Sequence, residues 1–343
     1  MRRLPVFFLL DCSESMIGGN LDKLKKGLQD IVTDLRKDPH ALETVYISII
    51  AFAGKAKTIV PLIDLISFYP PMLPIGGGTS LGAALRELRY QIDNKLLKTT
   101  PDRKGDWKPI VYLITDGRPT DIVGNELRIW REKYAQKVNF IAVSLGNSTD
   151  ISILHQLTET VIILNDNHQE NFTHFIKWIT ASVSSHSQNI NKDIALLNDY
   201  NNVLNLSDAR NYKSYDENCV VLVGKCSNTT RPYLIKYNLA DNVVNLYTDQ
   251  QQKYQLTGCY PIDNEYFDWS DEVKTSLLVN TNQLIGTPTC PHCSNPSAFA
   301  MCSCGNLLCI DHTGLVTCPW CDRYLQFNMS MPDEDFDVIR GKG

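Results

Sequence analysis

The N-terminal half of the chain repeats a pattern that narrows its fold at once. A short, mostly apolar run is followed by a stretch whose apolar residues recur every three or four positions. The runs Val6–Leu10, Val45–Phe52, Ile110–Ile114, Phe140–Leu145 and Val161–Leu164 read as buried strands. Between them Leu21, Leu24, Leu28, Ile31 and Leu35 share one helical face, as do Leu81, Leu85, Leu88, Ile92 and Leu96. A last helix is expected from Asn171 to about Ser184, burying Phe172, Phe175, Ile176 and Ile179. The expected class is α/β, a doubly wound, mostly parallel sheet wrapped by helices.

The first run ends in Asp11-Cys12-Ser13-Glu14-Ser15. Arg2 and Arg3 resemble the start of a secretory signal. The run stops at Asp11, however, is broken by Pro5, and has no small-residue cleavage site behind it. No later stretch approaches the roughly 18 apolar residues of a membrane-spanning helix. With 43% hydrophobic and 21% charged residues the composition is that of a globular protein. A net charge of −5 gives no support for a nucleic-acid or membrane surface. The basic cluster Lys23–Lys26 reads as a solvated helix face. The expected compartment is the reducing cytoplasm.

Three oxygen-rich loops end strands or lead into helices: Asp11–Ser15, Gly76-Gly77-Gly78-Thr79-Ser80, and Thr115-Asp116-Gly117. Residues two apart in an extended segment point the same way, so Asp11, Ser13 and Ser15 can converge on one point. The glycines before Thr79 permit close approach, letting that hydroxyl reach the same point. Hard oxygen ligands suit Mg²⁺ or Mn²⁺. The carboxyl ends of strands in open α/β sheets are the usual ligand positions. Two plainer readings compete. DCSES can be a polar turn capping the helix that begins near Asn20, and GGGTSLG an anion-binding helix start, although it lacks the Walker lysine. Asp121 reads as a solvated loop acid or an added carboxylate near the site. Arg118 reads as a steering charge for an acidic partner or a surface residue.

DCSES resembles D-x-S-x-S, the metal-ion-dependent adhesion site motif of the von Willebrand factor A domain. Thr79 in GGGTSLG and Asp116 in ITDG fit the threonine and aspartate which that family takes from two further loops. The resemblance covers roughly residues 1–185. It implies that Ser13, Ser15 and Thr79 contact the cation directly or through water, with Asp11 and Asp116 mainly behind them holding waters. It also implies a last ligand, typically Asp or Glu, supplied by a protein partner.

Seven of the eleven cysteines lie between Cys290 and Cys321. They resolve, with one histidine, into four close pairs: Cys290/Cys293, Cys302/Cys304, Cys309/His312 and Cys318/Cys321. Eight such ligands suit two tetrahedral, structural Zn²⁺ ions, and thiolates favour zinc over magnesium or calcium. Spacing leaves the pairing open. Interleaved binding joins Cys290, Cys293, Cys309 and His312 on one ion and the other four on the second, in the manner of a RING-like cross-brace. Sequential pairing is the rival, and an iron–sulfur cluster would use similar thiolates. His292 reads as a bystander, and Cys219, Cys226 and Cys259 as small buried residues. A core this small needs metal clips to fold.

Residues 186–214, rich in Asn and Ser, read as a linker. Residues 215–285 read as a β-rich segment with strands at Cys219–Val223, Tyr233–Tyr237, Val243–Tyr247, Tyr254–Leu256 and Ser276–Val279. A two-zinc, RING-like or treble-clef module spans 286–328, and 329–343 forms an acidic tail. This order of parts, with "ITDGRPTD" and "GCYPIDNEYFDWSDE", resembles the bacterial TerY family associated with tellurite resistance, whose members end in a TerY-C metal-binding domain. The resemblance implies a non-enzymatic adaptor in a stress-response or phage-defence system, acting with a 2C-type protein phosphatase and a serine/threonine kinase. None of the seven histidines sits in a recognisable catalytic motif. The alternative is a ubiquitin-ligase-like protein or a subunit of a transcription or repair complex, since Cys318-Pro319-Trp320-Cys321 resembles the last pair of RING domains. Only five residues separate His312 from Cys318, little room for the usual RING helix.

Overall fold

A computed structural model describes residues 2–145, 149–164, 169–188, 215–240, 252–272, 277–311, 314–327 and 335–342. The chain falls into two compact units. Met1–Cys12, Met16–Pro74 and Thr79–Ser214 form the first; Ser13–Ser15, Ile75–Gly78 and Tyr215–Gly343 form the second.

In the first unit, β1 (Leu4–Asp11) leads through α1 (Gly19–Leu35) and α2 (Pro39–Thr44) to β2 (Val45–Phe52) and β3 (Ala56–Asp64). Then come α3 (Leu81–Lys95), β4 (Ile110–Thr115), α4 (Gly124–Lys133), β5 (Asn139–Leu145), α5 (Ile151–Leu157), β6 (Val161–Leu164) and α6 (Gln169–Gln188). The sheet order is β3-β2-β1-β4-β5-β6, parallel throughout except for β3, which returns antiparallel on β2. This is the doubly wound α/β fold expected. Every residue of β1 and β4 is buried, as strands covered on both faces require.

Alternation along β1 distributes its side chains to two cores. Phe7 and Leu9 enter a cluster with Leu85 and Leu88 of α3 and Trp130 of α4. On the opposite face Phe8 stacks on Tyr112 at 5.4 Å, and Tyr112 meets Trp178 of α6 edge-on at 6.4 Å. Phe175, Ile176 and Ile179 are buried as α6's periodicity predicts; the side chain of Phe172 lies outside the described residues. The one strand of this sheet absent from the sequence reading is β3. Pro61 interrupts its pattern, and an edge strand tolerates a residue with no N–H to donate.

The second unit contains β7 (Cys219–Lys225), β8 (Pro232–Leu239), β9 (Tyr254–Pro261), α7 (Glu265–Trp269), β10 (Leu278–Asn280) and β11 (Leu284–Ile285). It continues with β12 (Ser297–Met301), β13 (Leu307–Ile310), β14 (Leu315–Thr317), β15 (Tyr324–Gln326) and β16 (Asp337–Ile339). Six of these form one sheet in the order β11-β9-β8-β7-β13-β12. The boundary expected near residue 286 therefore does not divide the fold. β13, from the cysteine-rich segment, pairs in parallel with β7, and Leu307 and Cys309 share a core with Val220, Leu222 and Ile235.

The acidic tail is corrected in the same way. β16 pairs antiparallel with β10, and Val338 is buried. Arg340 is buried too, donating to the carbonyls of Asp216 and Cys219 with its guanidinium 5.0 Å from the Tyr215 ring. Apolar residues inside a charged segment pull it into the core. The strand expected at Val243–Tyr247 and the linker from residue 189 onward lie outside the described residues; residues 186–188 continue α6.

Candidate metal centres

In the first unit the strand order reverses between β1 and β4, the position where an open α/β sheet offers a crevice beyond its carboxyl ends. Asp11 ends β1, and Asp116 follows β4. Asp11 is fully buried and accepts a 2.5 Å hydrogen bond from Thr115 Oγ1. Asn20, in the first turn of α1, donates from Nδ2 to Asp116 Oδ2 at 3.0 Å. Thr79 is held by its backbone: its N–H donates to Thr120 Oγ1 at 2.8 Å, and its carbonyl accepts from the Thr120 N–H at 2.9 Å. Its hydroxyl takes no part in either bond. A pocket beside Thr79, Thr115 and Gly117 is walled by Phe52, Leu81, Pro119, Ile153 and Leu154.

Asp121 is half-buried rather than a solvated loop acid. Its carboxylate accepts from the N–H groups of Gly82 and Ala83, at 3.2 and 3.1 Å, and so caps α3 from another loop. Burial pushes its carboxyl above the ordinary range, against the lowering effect of those two N–H groups.

Ser13–Ser15 and Ile75–Gly78 belong to the second unit. Ser13 bridges Gly76 in a parallel ladder contact, and Ser13 Oγ lies 3.0 Å from Ser15 Oγ. Both hydroxyls are buried on the same side of the loop, where two oxygens can serve one hard cation. The segment is not extended as the sequence reading expected: Glu14–Met16 form a 3-10 turn, and the Glu14 carboxylate accepts from Tyr266 Oη. Burial, together with Glu14, pushes the Tyr266 phenol well above its ordinary value, so it stays a donor. Cys12 is a buried thiol whose pKa burial raises well above the ordinary range.

The cysteines converge in two groups. Cys226, Cys290, Cys293 and Cys309 form one; Cys302, Cys304, Cys318 and Cys321 form the other, with all sulfurs of a group within 4.8 Å. Sulfurs about 2.3 Å from a tetrahedral zinc lie about 3.8 Å apart. The separations Cys293–Cys309, Cys302–Cys321 and Cys304–Cys318 are 3.6, 3.6 and 3.9 Å. Both groups fit such an ion, and their order along the chain is interleaved.

Cys226 corrects the reading that made it only a small buried residue. His312, assigned to the first group from spacing, lies outside the described residues. The thiol the structure adds is Cys226, at the end of β7. Its turn repeats the local geometry of the paired cysteines. The carbonyls of Cys226, Cys290 and Cys318 each accept from the N–H four residues on, and their N–H groups each donate to the carbonyl five residues on. The residues four on, Thr230, Ser294 and Asp322, have φ of 59°, 61° and 58°. Thr229 stands where the other two turns have their second cysteine, so no C-x-x-C pattern advertised the site. Cys309 also accepts from the Ser227 N–H at 3.3 Å. His292 is no ligand here: its Nε2 lies 2.9 Å from the Pro232 carbonyl.

The model of the von Willebrand factor type A domain matches residues 6–177, half of the chain. The chain belongs to the von Willebrand factor type A domain family. Behind that domain, residues 216–343 match the TerY-C metal binding domain. Similar solved structures include proximal thread matrix protein 1 from the mussel byssus, 19% identical over 52% of this chain and 47% of that one, TM-score 0.40. A von Willebrand factor type A structure from Catenulispora acidiphila is 18% identical over 54% and 43%, TM-score 0.41. The ArnB paralog VWA2 from Sulfolobus acidocaldarius is 12% identical over 77% and 66%, TM-score 0.36. The chain thus spans less than half the length of the byssus protein. Among the described residues no helix is long and apolar enough to cross a membrane.

The candidate oxygen ligands have supporting residues besides D-x-S-x-S, Thr79 and Asp116 themselves. Asn20, Thr115 and Thr120 act through hydrogen bonds to a motif residue. Lys236 and Tyr266 reach the serine loop from more than 200 positions away along the chain.

Proposed function

We propose that the chain is a non-enzymatic adaptor that binds an acidic residue of a protein partner through a Mg²⁺-type centre. The centre is formed by Asp11, Ser13, Ser15, Thr79 and Asp116. The observation that carries this reading is the convergence of the buried Ser13 and Ser15 hydroxyls, 3.0 Å apart. A cation bound there offers a position short of direct carboxylates, which a partner's Asp or Glu completes. The chain's own residues keep that position open. Thr115 and Asn20 hold the two aspartates, and the Thr120 pairing aims Thr79. The two thiol groups are scaffold, each suited to one structural Zn²⁺.

The partners proposed are a 2C-type protein phosphatase and a serine/threonine kinase, within a tellurite-resistance, stress-response or phage-defence system in the cytoplasm. The test is a pull-down with the zinc-loaded protein, in excess EDTA and again after Mg²⁺ is restored. Zinc retained by the bait is assayed in parallel. Partners that return with Mg²⁺ to the wild type but not to Thr79→Ala support the reading; partners indifferent to both overturn it.

A further inference from the structure

We infer that Lys236 and Tyr266 are positioning residues for the serine half of the cation site. They set the path of Ser13–Ser15 and with it the affinity for the cation. The inference rests on the adhesion-site reading above.

Ser13 bridges Gly76 and Glu14–Met16 form a single 3-10 turn, so the contacts of this turn set its path: the Ser13 and Ser15 hydroxyls meet at 3.0 Å while the Glu14 carboxylate goes to Tyr266. The position of the two hydroxyls therefore depends on what holds that turn. Glu14 is fully buried and takes the Tyr266 hydroxyl as donor. Lys236, buried on β8, donates from Nζ to the Ser15 carbonyl at 2.5 Å, orienting the peptide that carries the second hydroxyl. An ammonium buried against a backbone carbonyl is a costly way merely to fill space, which an apolar side chain of similar length does more cheaply. The neighbouring glycine loop is held by the same short segment. The Gly77 N–H donates to Ser270 Oγ at 2.8 Å, and the Asp271 N–H to the Gly77 carbonyl at 3.0 Å. At Gly76 even a methyl group would lie 2.7 Å from Trp269, so the close approach requires glycine. Since Gly76 bridges Ser13, the clasp reaches the first serine as well.

The experiment measures Mn²⁺ binding by electron paramagnetic resonance in the zinc-loaded full chain. It compares the wild type, Thr79→Ala, Lys236→Met, Tyr266→Phe and Ser270→Ala, with zinc content and melting temperature recorded for each. We expect Thr79→Ala to abolish binding. Lys236→Met and Tyr266→Phe should each weaken it about tenfold, the size of one lost hydrogen bond to a charged group. Zinc content should stay at the wild-type level, and the Mn²⁺ lines should broaden as the ligand geometry loosens. Wild-type Mn²⁺ affinity in both variants overturns the inference and leaves the adhesion site standing. A wild type with no Mn²⁺ binding sensitive to Thr79 overturns the reading and the inference together. Should either variant lose zinc, Ser270→Ala decides, because it loosens the neighbouring glycine loop at Gly77, beside the Gly76 that bridges Ser13: weakened Mn²⁺ binding supports the inference, and unchanged binding overturns it.

Discussion

Asp11 and Thr79 belong to one proposed centre, but their substitutions should behave differently. The Thr79 side chain takes no part in the backbone pairing with Thr120, so alanine keeps both of those bonds. Thr79→Ala should remove Mg²⁺-dependent partner binding while the circular dichroism spectrum and melting temperature stay at wild-type values. Asp11→Ala should remove binding too, but it also strips the acceptor from a buried Thr115 hydroxyl. Leaving that donor unmatched costs about 1–3 kcal/mol, which a denaturant titration would detect. Asp121 gives a second contrast. As a cap on α3, its loss in Asp121→Ala should cost about 0.5–2 kcal/mol, and Asp121→Asn less. Because burial raises its carboxyl pKa, the folded chain holds this proton more tightly than the unfolded one. The stability this gives is fully present below the unfolded pKa and is lost as pH rises through the folded one. Asp121→Asn should flatten the fall in stability as pH rises above the ordinary carboxylate range, measured by urea unfolding. The oxygen ligands themselves were legible because they sit two apart or beside glycines. Asn20 and Thr120 were not, since nothing local distinguishes a supporting amide or hydroxyl from a solvated one.

The knuckle-like turns show where spacing stops being informative. Cys290/Cys293 and Cys318/Cys321 announce themselves as pairs, whereas Cys226 makes the same turn with Thr229 in the second place. Its membership of the first thiol group comes from the pairing of β7 with β13, which brings Cys226 and Cys309 together. Cys226→Ser should therefore release one of two bound zinc ions, counted by plasma mass spectrometry, while His312→Ala retains both. The reverse result would restore the ligand set read from spacing. The same limit applies to β3: Pro61 breaks its pattern, and only its edge position makes that break tolerable.

Over the whole molecule, two units with separate cores should lose structure separately. The first is held by apolar burial across an α/β sheet, and the second contains two thiol groups, each able to hold a metal ion, within a small sheet. Structural zinc contributes about 10–16 kcal/mol to the folding of small domains. The zinc-loaded chain should therefore show two calorimetric transitions, and stripping zinc with a strong chelator should unfold the second unit, leaving one transition and the helical signal of the first. Ser13–Ser15 belongs to the second unit, so zinc loss should also weaken Mn²⁺ binding.

The α/β class, the five parallel strands, the oxygen ligands and most of the thiol ligands could all be read from windows of a few residues. Periodicity, alternation and short ligand spacings are set by local backbone geometry. The contacts of Lys236 with Ser15 and of Tyr266 with Glu14, the place of Cys226 beside Cys309, and the burial of Arg340 could not be read in this way. Each joins residues far apart in sequence, and such pairings exist only once buried surfaces have chosen which strands and loops lie side by side.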